Sequence, residues 1–326
     1  MIICPRPPTL VAAVLAALVL PATAWPQAWP SKPVRWVVPF PPGGGVDVTT
    51  RTITSRMGMK PGHQFVIDNR GGANGNIGAE IVAKAPPDGY TVLTATTGIV
   101  VINPHLYSKL AFDAVRDLVP VTSAVDVINV LVVHPSLPAK SVKELIALAK
   151  ARPNELNFGT SGPGGSDHIA TELFRTMTGA QLVHVPYKGG APAMVDLVAG
   201  HVQLMFATMA VAVGQIRAGR LRALGITSSK RYPLMPELPT IAEAGVPGYE
   251  AAFWFGVFVP QGTPREIVAR LNGEVRDALQ APEVQQRLLE SGLIATGTTP
   301  EEFSAFVQAE SKKWAKLVRE RGLKAD

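Results

Sequence analysis

Val34-Arg35-Trp36-Val37-Val38 runs directly into Pro39-Phe40-Pro41-Pro42-Gly43-Gly44-Gly45-Val46-Asp47. The first five residues are apolar and rich in β-branched side chains, the signature of a buried strand, and Pro-Pro-Gly-Gly-Gly then turns the chain sharply. Asp47 falls in the expected first turn of a helix. The glycines admit left-handed backbone angles and close approach of another molecule. A helix starting here presents unpaired N–H groups and the positive end of its dipole, a setting that suits an anion. A tight strand-to-helix connection needs glycine whether or not anything binds, so the stretch by itself leaves both readings open.

Two further stretches repeat the plan. Phe65-Val66-Ile67-Asp68-Asn69 leads into Arg70-Gly71-Gly72-Ala73-Asn74-Gly75-Asn76-Ile77-Gly78 and a helical Ala79 to Lys84, and Leu156-Asn157-Phe158 leads into Gly159 to His168 and a helical Ile169 to Phe174. Ligands in open α/β sheets sit beyond the carboxyl ends of strands, so three polar glycine loops in that position predict one shared cleft.

The 326 residues are 47% hydrophobic and 17% charged, which describes a globular chain large enough for two domains. Strand patterns alternate with helical ones throughout, predicting an α/β fold with parallel-rich sheets. The first helix carries the weak formers Thr49, Thr50, Thr52 and Thr54, and Gly58 with Pro61 is expected to end it early. Asn103 to Tyr107 reads as the start of a surface excursion, and the Pro- and Gly-rich Pro236 to Tyr249 as a crossing segment.

Thr9 to Ala24 is an apolar stretch after a single Arg6, and it ends in Ala22-Thr23-Ala24. It is shorter than the ~20 residues that span a bilayer, so it reads as a cleaved secretory signal, residues 1–24, and implies export to the periplasm. Cys4, the one cysteine, leaves with it, and so does Arg6, taking the formal charge from +6 to +5. The remaining basic residues are scattered, with a cluster only near Lys312, Lys313, Lys316, Arg319 and Arg321. No aromatic-and-basic groove pattern appears, which argues against nucleic-acid binding.

Chemistry is hard to find. The first glycine loop lacks the lysine and hydroxyl of a nucleotide-binding loop, and Gly72, Gly75 and Gly78 do not make a dinucleotide fingerprint. The six histidines include no pair at metal-ligand spacing. His168 stands out only because it opens a helix inside the third glycine loop, with Ser161 and Ser166 nearby but no nucleophile motif. Donors without a nucleophile favour binding over catalysis, with no cofactor and no metal.

Six motifs, in order, carry a resemblance: Pro39 to Asp47, Asn69 to Ala79, Ala85-Pro86-Pro87-Asp88-Gly89-Tyr90, Val185-Pro186-Tyr187-Lys188-Gly189, Gly219 to Leu224, and Leu238 to Gly245. Over nearly the whole mature chain the sequence resembles the Bug family, periplasmic receptors of the tripartite tricarboxylate transporter system. The resemblance implies a two-domain periplasmic binding protein with two crossings between the domains. It places residues 29–128 plus 252–326 in one domain and 129–251 in the other, with a small organic carboxylate enclosed between them. By motif position, ligand contacts are expected from Phe40, Gly44, Ala73, Asn74, Gly75, Asn76, Ile77, Thr160 and Ser161, and also from His168 and Tyr187. Many members carry an acidic residue after the strand ending at Phe206; Ala207 stands there in this chain, which tilts the ligand away from amino acids. A monomer that delivers its ligand to membrane transporter subunits is expected. A ligand-presenting sensor for a membrane signalling partner is the alternative, and an enzyme on a similar fold ranks below both.

Overall fold

The structure, a computed structural model, describes residues 1–2 and 29–324; cleavage after Ala24 lies outside the described residues. The chain begins with β1 (Val34–Val38), α1 (Gly45–Met57), β2 (Phe65–Asn69), α2 (Asn76–Ala83) and β3 (Thr91–Thr96). A π-helical turn, Gly98–Ile102, then leads to the short α3 (Asn103–Leu106) and α4 (Ala114–Asp117) and to β4 (Leu118–Val127). A second group follows: β5 (Asn129–Val133), α5 (Val142–Ala151), β6 (Asn157–Thr160), α6 (Ser166–Thr178), β7 (Val183–Pro186), α7 (Gly190–Val198), β8 (Leu204–Thr208), α8 (Met209–Arg217) and β9 (Arg222–Ile226). The chain closes with β10 (Phe253–Pro260), α9 (Arg265–Gln280), α10 (Pro282–Glu290), β11 (Leu293–Ala295) and α11 (Pro300–Arg321).

Two sheets result, ordered β11-β4-β10-β3-β1-β2 and β7-β6-β8-β5-β9. In the first, β1 to β4 run one way and β10 and β11 the other; in the second, only β5 opposes the rest. The molecule is thus a two-domain α/β protein whose strands mostly share one direction within each sheet. The chain passes between the sheets at Ile128 and again after β9. At both places backbone bonds tie the passage down: Ile128 N donates to Gly292 O, and Ala251 N to Thr227 O.

Alternation along β5 shows how the second sheet is sandwiched. Leu131 and Val133 join the large core cluster that continues into the first sheet through Trp36, Leu93 and Trp254, while Val130 and Val132 face a separate cluster with Met194, Leu197 and Met209 under α7 and α8. The first helix ends at Met57 with Gly58 as its cap, at the glycine expected to stop it. Thr49, Thr50 and Thr54 turn their hydroxyls onto carbonyls one turn back, and Thr50 also reaches Thr94 at 2.8 Å. Buried hydroxyls satisfied in this way let tertiary packing override weak helix propensity for 13 residues, up to Gly58.

The expected surface excursion holds at Ser108, Lys109 and Ala111, which are exposed, but its start is corrected. Ile99 to Ile102 are buried, Asn103 is fully buried, and Leu106 is in the core. A polar residue followed by proline looked exposed, but its amide is engaged inside the protein.

Candidate functional site

Each glycine loop is braced by side chains from its own neighbourhood. In the first, Asp47 accepts from Gly43 N at 2.9 Å, from Asn69 Nδ2 at 3.0 Å and from Arg51 Nε at 2.9 Å. Burial opposes its charge, but Arg51 and these donors outweigh that and hold the carboxyl below its usual range. Asn69 also donates to Phe40 O at 3.0 Å, fixing the turn's entry. Gly44 caps α1, exposed and with no side chain over it.

The second loop folds into a 3-10 turn, Ala73–Gly75, with Ala73 at φ 46 and Asn74 at φ 52, both left-handed. Asn103 makes that conformation affordable. Its Oδ1 accepts from Asn74 Nδ2 at 3.1 Å, and its Nδ2 donates to Asn76 Oδ1 at 2.7 Å and to Asn74 O at 3.4 Å. Asn76 is buried at the start of α2, and its Nδ2 has no partner among the described residues. Ile77 is half exposed beside it. Gly75 admits the ring of Phe40, since a Cβ there would stand 3.1 Å from Phe40 Cζ.

The third loop is braced by Asp167, which accepts from Ser161 N at 2.5 Å, Ser161 Oγ at 2.8 Å and its neighbour His168 N at 2.8 Å. Among the described residues no cation joins these contacts. Burial pushes the Asp167 carboxyl up to about 6 against the pull of these donors. Thr160 is fully buried, its hydroxyl 2.6 Å from His184 Nε2. His184 stacks between Phe158 and His168, with centroids 4.9 and 4.4 Å away. His168 Nδ1 accepts from Gly164 N at 3.2 Å, and burial together with His184 lowers its pKa to about 4, so the ring is neutral at pH 7.

The second and third loops meet. A Cβ placed on Gly164 would stand 2.8 Å from Leu106 Cδ1, 3.1 Å from Asn74 Nδ2 and 3.5 Å from Asn103 Oδ1, and one on Gly98 would stand 3.6 Å from Gly164 O. The two sheets therefore touch across this seam through glycine backbone, with the N-terminal turns of α2 and α6 on its two sides.

The structure brings together Phe40, Ala73 to Ile77 and, through their shared loop, Thr160, Ser161 and His168. Ser161 has both its N–H and its O–H committed to Asp167. Tyr187 joins that loop through its backbone, N to Thr160 O at 3.0 Å, but its hydroxyl turns away to Asp196 at 2.7 Å, and burial together with that carboxylate raises it to about 12. Ala207 lies apart, fully buried among Val130, Met205 and Met209 in the cluster under α7 and α8. Sequence reasoning missed Asn103 and Asn129. The available signal was a lone asparagine inside an apolar run, as in Val127-Ile128-Asn129-Val130, because a buried amide must find partners.

Among the described residues, no group of three or more His, Cys, Asp or Glu side chains is placed to hold a metal ion, and no helix is long and apolar enough to cross a membrane. Two surface grooves of about 550 and 360 Å³ lie beside His105 and Tyr107.

Comparison with known proteins agrees with this architecture. The chain is 38% identical to the protein BugT of Bordetella pertussis over 95% of its own length and 94% of the relative's. An adipate-bound structure from R. palustris superposes with a TM-score of 0.84 at 44% identity, covering 91% of this chain and 99% of that one. MatC from Rhodopseudomonas palustris with bound malate superposes at 0.79 with 33% identity, covering 89% and 100%. Family and neighbours are solute-binding receptors. With residues 49–323 matching the family model, the chain belongs to the tripartite tricarboxylate transporter family of receptors.

Proposed function

We propose that this protein captures a small organic carboxylate in the cleft between its two sheets and presents it to the membrane subunits of a tripartite transporter. One observation carries the reading. Helix N-termini from both sheets meet at the Asn74–Asn103–Gly164 seam, and a buried amide donor beside it, Asn76 Nδ2, is unengaged. Helix starts and unpaired amide donors stabilise an anion without a basic side chain. The loop-edge arginines are already paired, Arg51 with Asp47 and Arg70 with Asp68. The neighbours with adipate and malate support the same class of ligand.

In this reading residues 29–128 plus 252–326 form one domain and 129–251 the other, and ligand closes them about the two crossings. Phe40, Gly44, Ala73 to Ile77 and Thr160 contribute contacts, with Ser161 and His168 shaping the loop behind them. The chain is exported by residues 1–24 and works as a periplasmic monomer. A thermal-shift series with mono-, di- and tricarboxylates, aromatic acids, amino acids and neutral sugars tests it, because a ligand bound only by the folded state raises its stability. At least one acid should raise the melting temperature; a shift with a sugar and none with any acid refutes the reading.

A further inference from the structure

Asn129 is fully buried. It is the first residue of β5, at the edge of the second sheet where β6 and β8 end and α6 begins. Its Nδ2 donates to Phe206 O at 3.1 Å and to Ser166 Oγ, in the first turn of α6, at 3.2 Å. Phe206 O can only accept, so the amide's orientation is fixed. Its backbone carbonyl receives Thr227 N at 3.0 Å and Thr227 Oγ1 at 3.2 Å, from the second crossing, and Ile128 just before it is the first crossing. One residue thus binds both crossings to the start of the helix behind the third glycine loop. Its Oδ1, buried, has no partner among the described residues.

Leaving a buried carbonyl without a donor costs roughly 1–3 kcal/mol, so a water or a ligand group that donates a hydrogen bond belongs beside it. A carboxylate does not; two acceptors facing one another repel. An ammonium donates but needs a counter-charge, and the oxygens of Asp47 and Asp167 are already committed to loop donors and, for Asp47, to Arg51. A neutral hydroxyl meets the requirement. Asn76 Nδ2, on the first domain's side, is the complementary unpaired donor and suits the carboxylate.

We propose that Asn129 Oδ1 is a specificity-determining acceptor that reads a hydroxyl on the ligand, so that the receptor prefers hydroxylated carboxylic acids to their analogues lacking the hydroxyl. The inference rests on the carboxylate reading above and names a finer class within it. Isothermal titration of the mature chain with succinate against malate, glutarate against 2-hydroxyglutarate, and benzoate against 4-hydroxybenzoate tests it. The expected result is a tenfold or greater preference for the hydroxylated member of at least one pair. In Asn129→Ala that ratio should fall to within about threefold, a change of roughly 0.6 kcal/mol or less from parity. Asn129→Ser, whose small hydroxyl can still donate to a carbonyl, should lose the preference likewise if the Ala variant fails to fold. Acids that bind with no preference in any pair overturn the role of Asn129 and leave the carboxylate reading standing, as does a preference that survives in Asn129→Ala. Failure of every acid to bind overturns both.

Discussion

The loops after β1 and β6 solve one problem with opposite electrostatics. Each is a glycine turn ahead of a helix, and each is held by an aspartate in the first helical turn that reaches back to a loop N–H: Asp47 to Gly43, and Asp167 to Ser161. Asp47 has a cation, Arg51, whose side chain is 48% exposed, and the loop it braces is open to solvent. Asp167, as little exposed as Asp47, is held by neutral donors from its own loop. The brace with a half-exposed arginine beside it is therefore stabilised by charge, whereas the brace near the seam between the sheets is stabilised by hydrogen bonds alone.

Removing the braces should separate them most. Asp167→Ala leaves two part-buried donors, the Ser161 N–H and O–H, unpaired, and we expect a loss of ~3 kcal/mol. Asp47→Ala leaves its donors near water and should cost ~1–2 kcal/mol. Urea denaturation of both variants checks the order; equal losses would break the comparison.

Acidity should move the two in opposite directions. The folded value of Asp167, about 6, exceeds its ordinary 3.8. Its favourable contribution is thus complete below about 3.8 and lost as pH rises through about 6, at ~1.4 kcal/mol per unit. Asp47 is shifted down, so its contribution is present above 3.8 and lost as pH falls through its folded value. Stability measured from pH 3 to 7 should show Asp167→Asn gaining on the native protein as pH rises to 6, and Asp47→Asn closing its deficit as pH falls below 4. Slopes of the same sign would show that the two carboxylates do not differ as described.

Glycine substitution probes the seam. Gly164 at φ +78 has Leu106 and Asn74 within 3.1 Å of where a Cβ would lie, whereas Gly43 at φ +85 has nothing within 4 Å. Gly164→Ala should hold the domains apart and weaken ligand binding about tenfold or more, the equivalent of ~1.4 kcal/mol. Gly43→Ala should cost only its backbone strain, ~1 kcal/mol of stability, with little change in affinity. Titration calorimetry and thermal melts on the pair distinguish the two effects.

The contrast also explains what could be read from sequence. The three loops were legible because strand, glycine and helix signals sit side by side in the chain. Their braces were half legible: Asp47 and His168 were noticed by position, but nothing local says that Asp167 lacks a cation. β4 was hidden by Pro120, which is tolerated because the register with β10 slips between Val257 and Phe258 where Phe258 meets Pro120. Asn103 was taken for surface because its partners Asn74 and Asn76 lie more than twenty residues upstream. Ala207 was placed by its position after a strand, yet which face of that strand is turned to the cleft depends on the sheet's sandwiching and not on the motif.

Tyr187 offers the smallest and cleanest separation of motif from mechanism. The resemblance makes it a ligand contact, and its backbone does hold the third loop. Its hydroxyl donates instead to Asp196, whose side chain is 35% exposed and is also 3.3 Å from His201. Tyr187→Phe removes one half-exposed hydrogen bond and leaves the ring, the Thr160 backbone bond and the loop geometry in place. The loss of stability should be ~0.5–1 kcal/mol, and affinity for any acid should change less than about twofold, under ~0.4 kcal/mol. Titration of the variant against the native protein decides between the two roles: a tenfold loss of affinity without a matching loss of stability would mean that the hydroxyl swings from Asp196 to the ligand on binding.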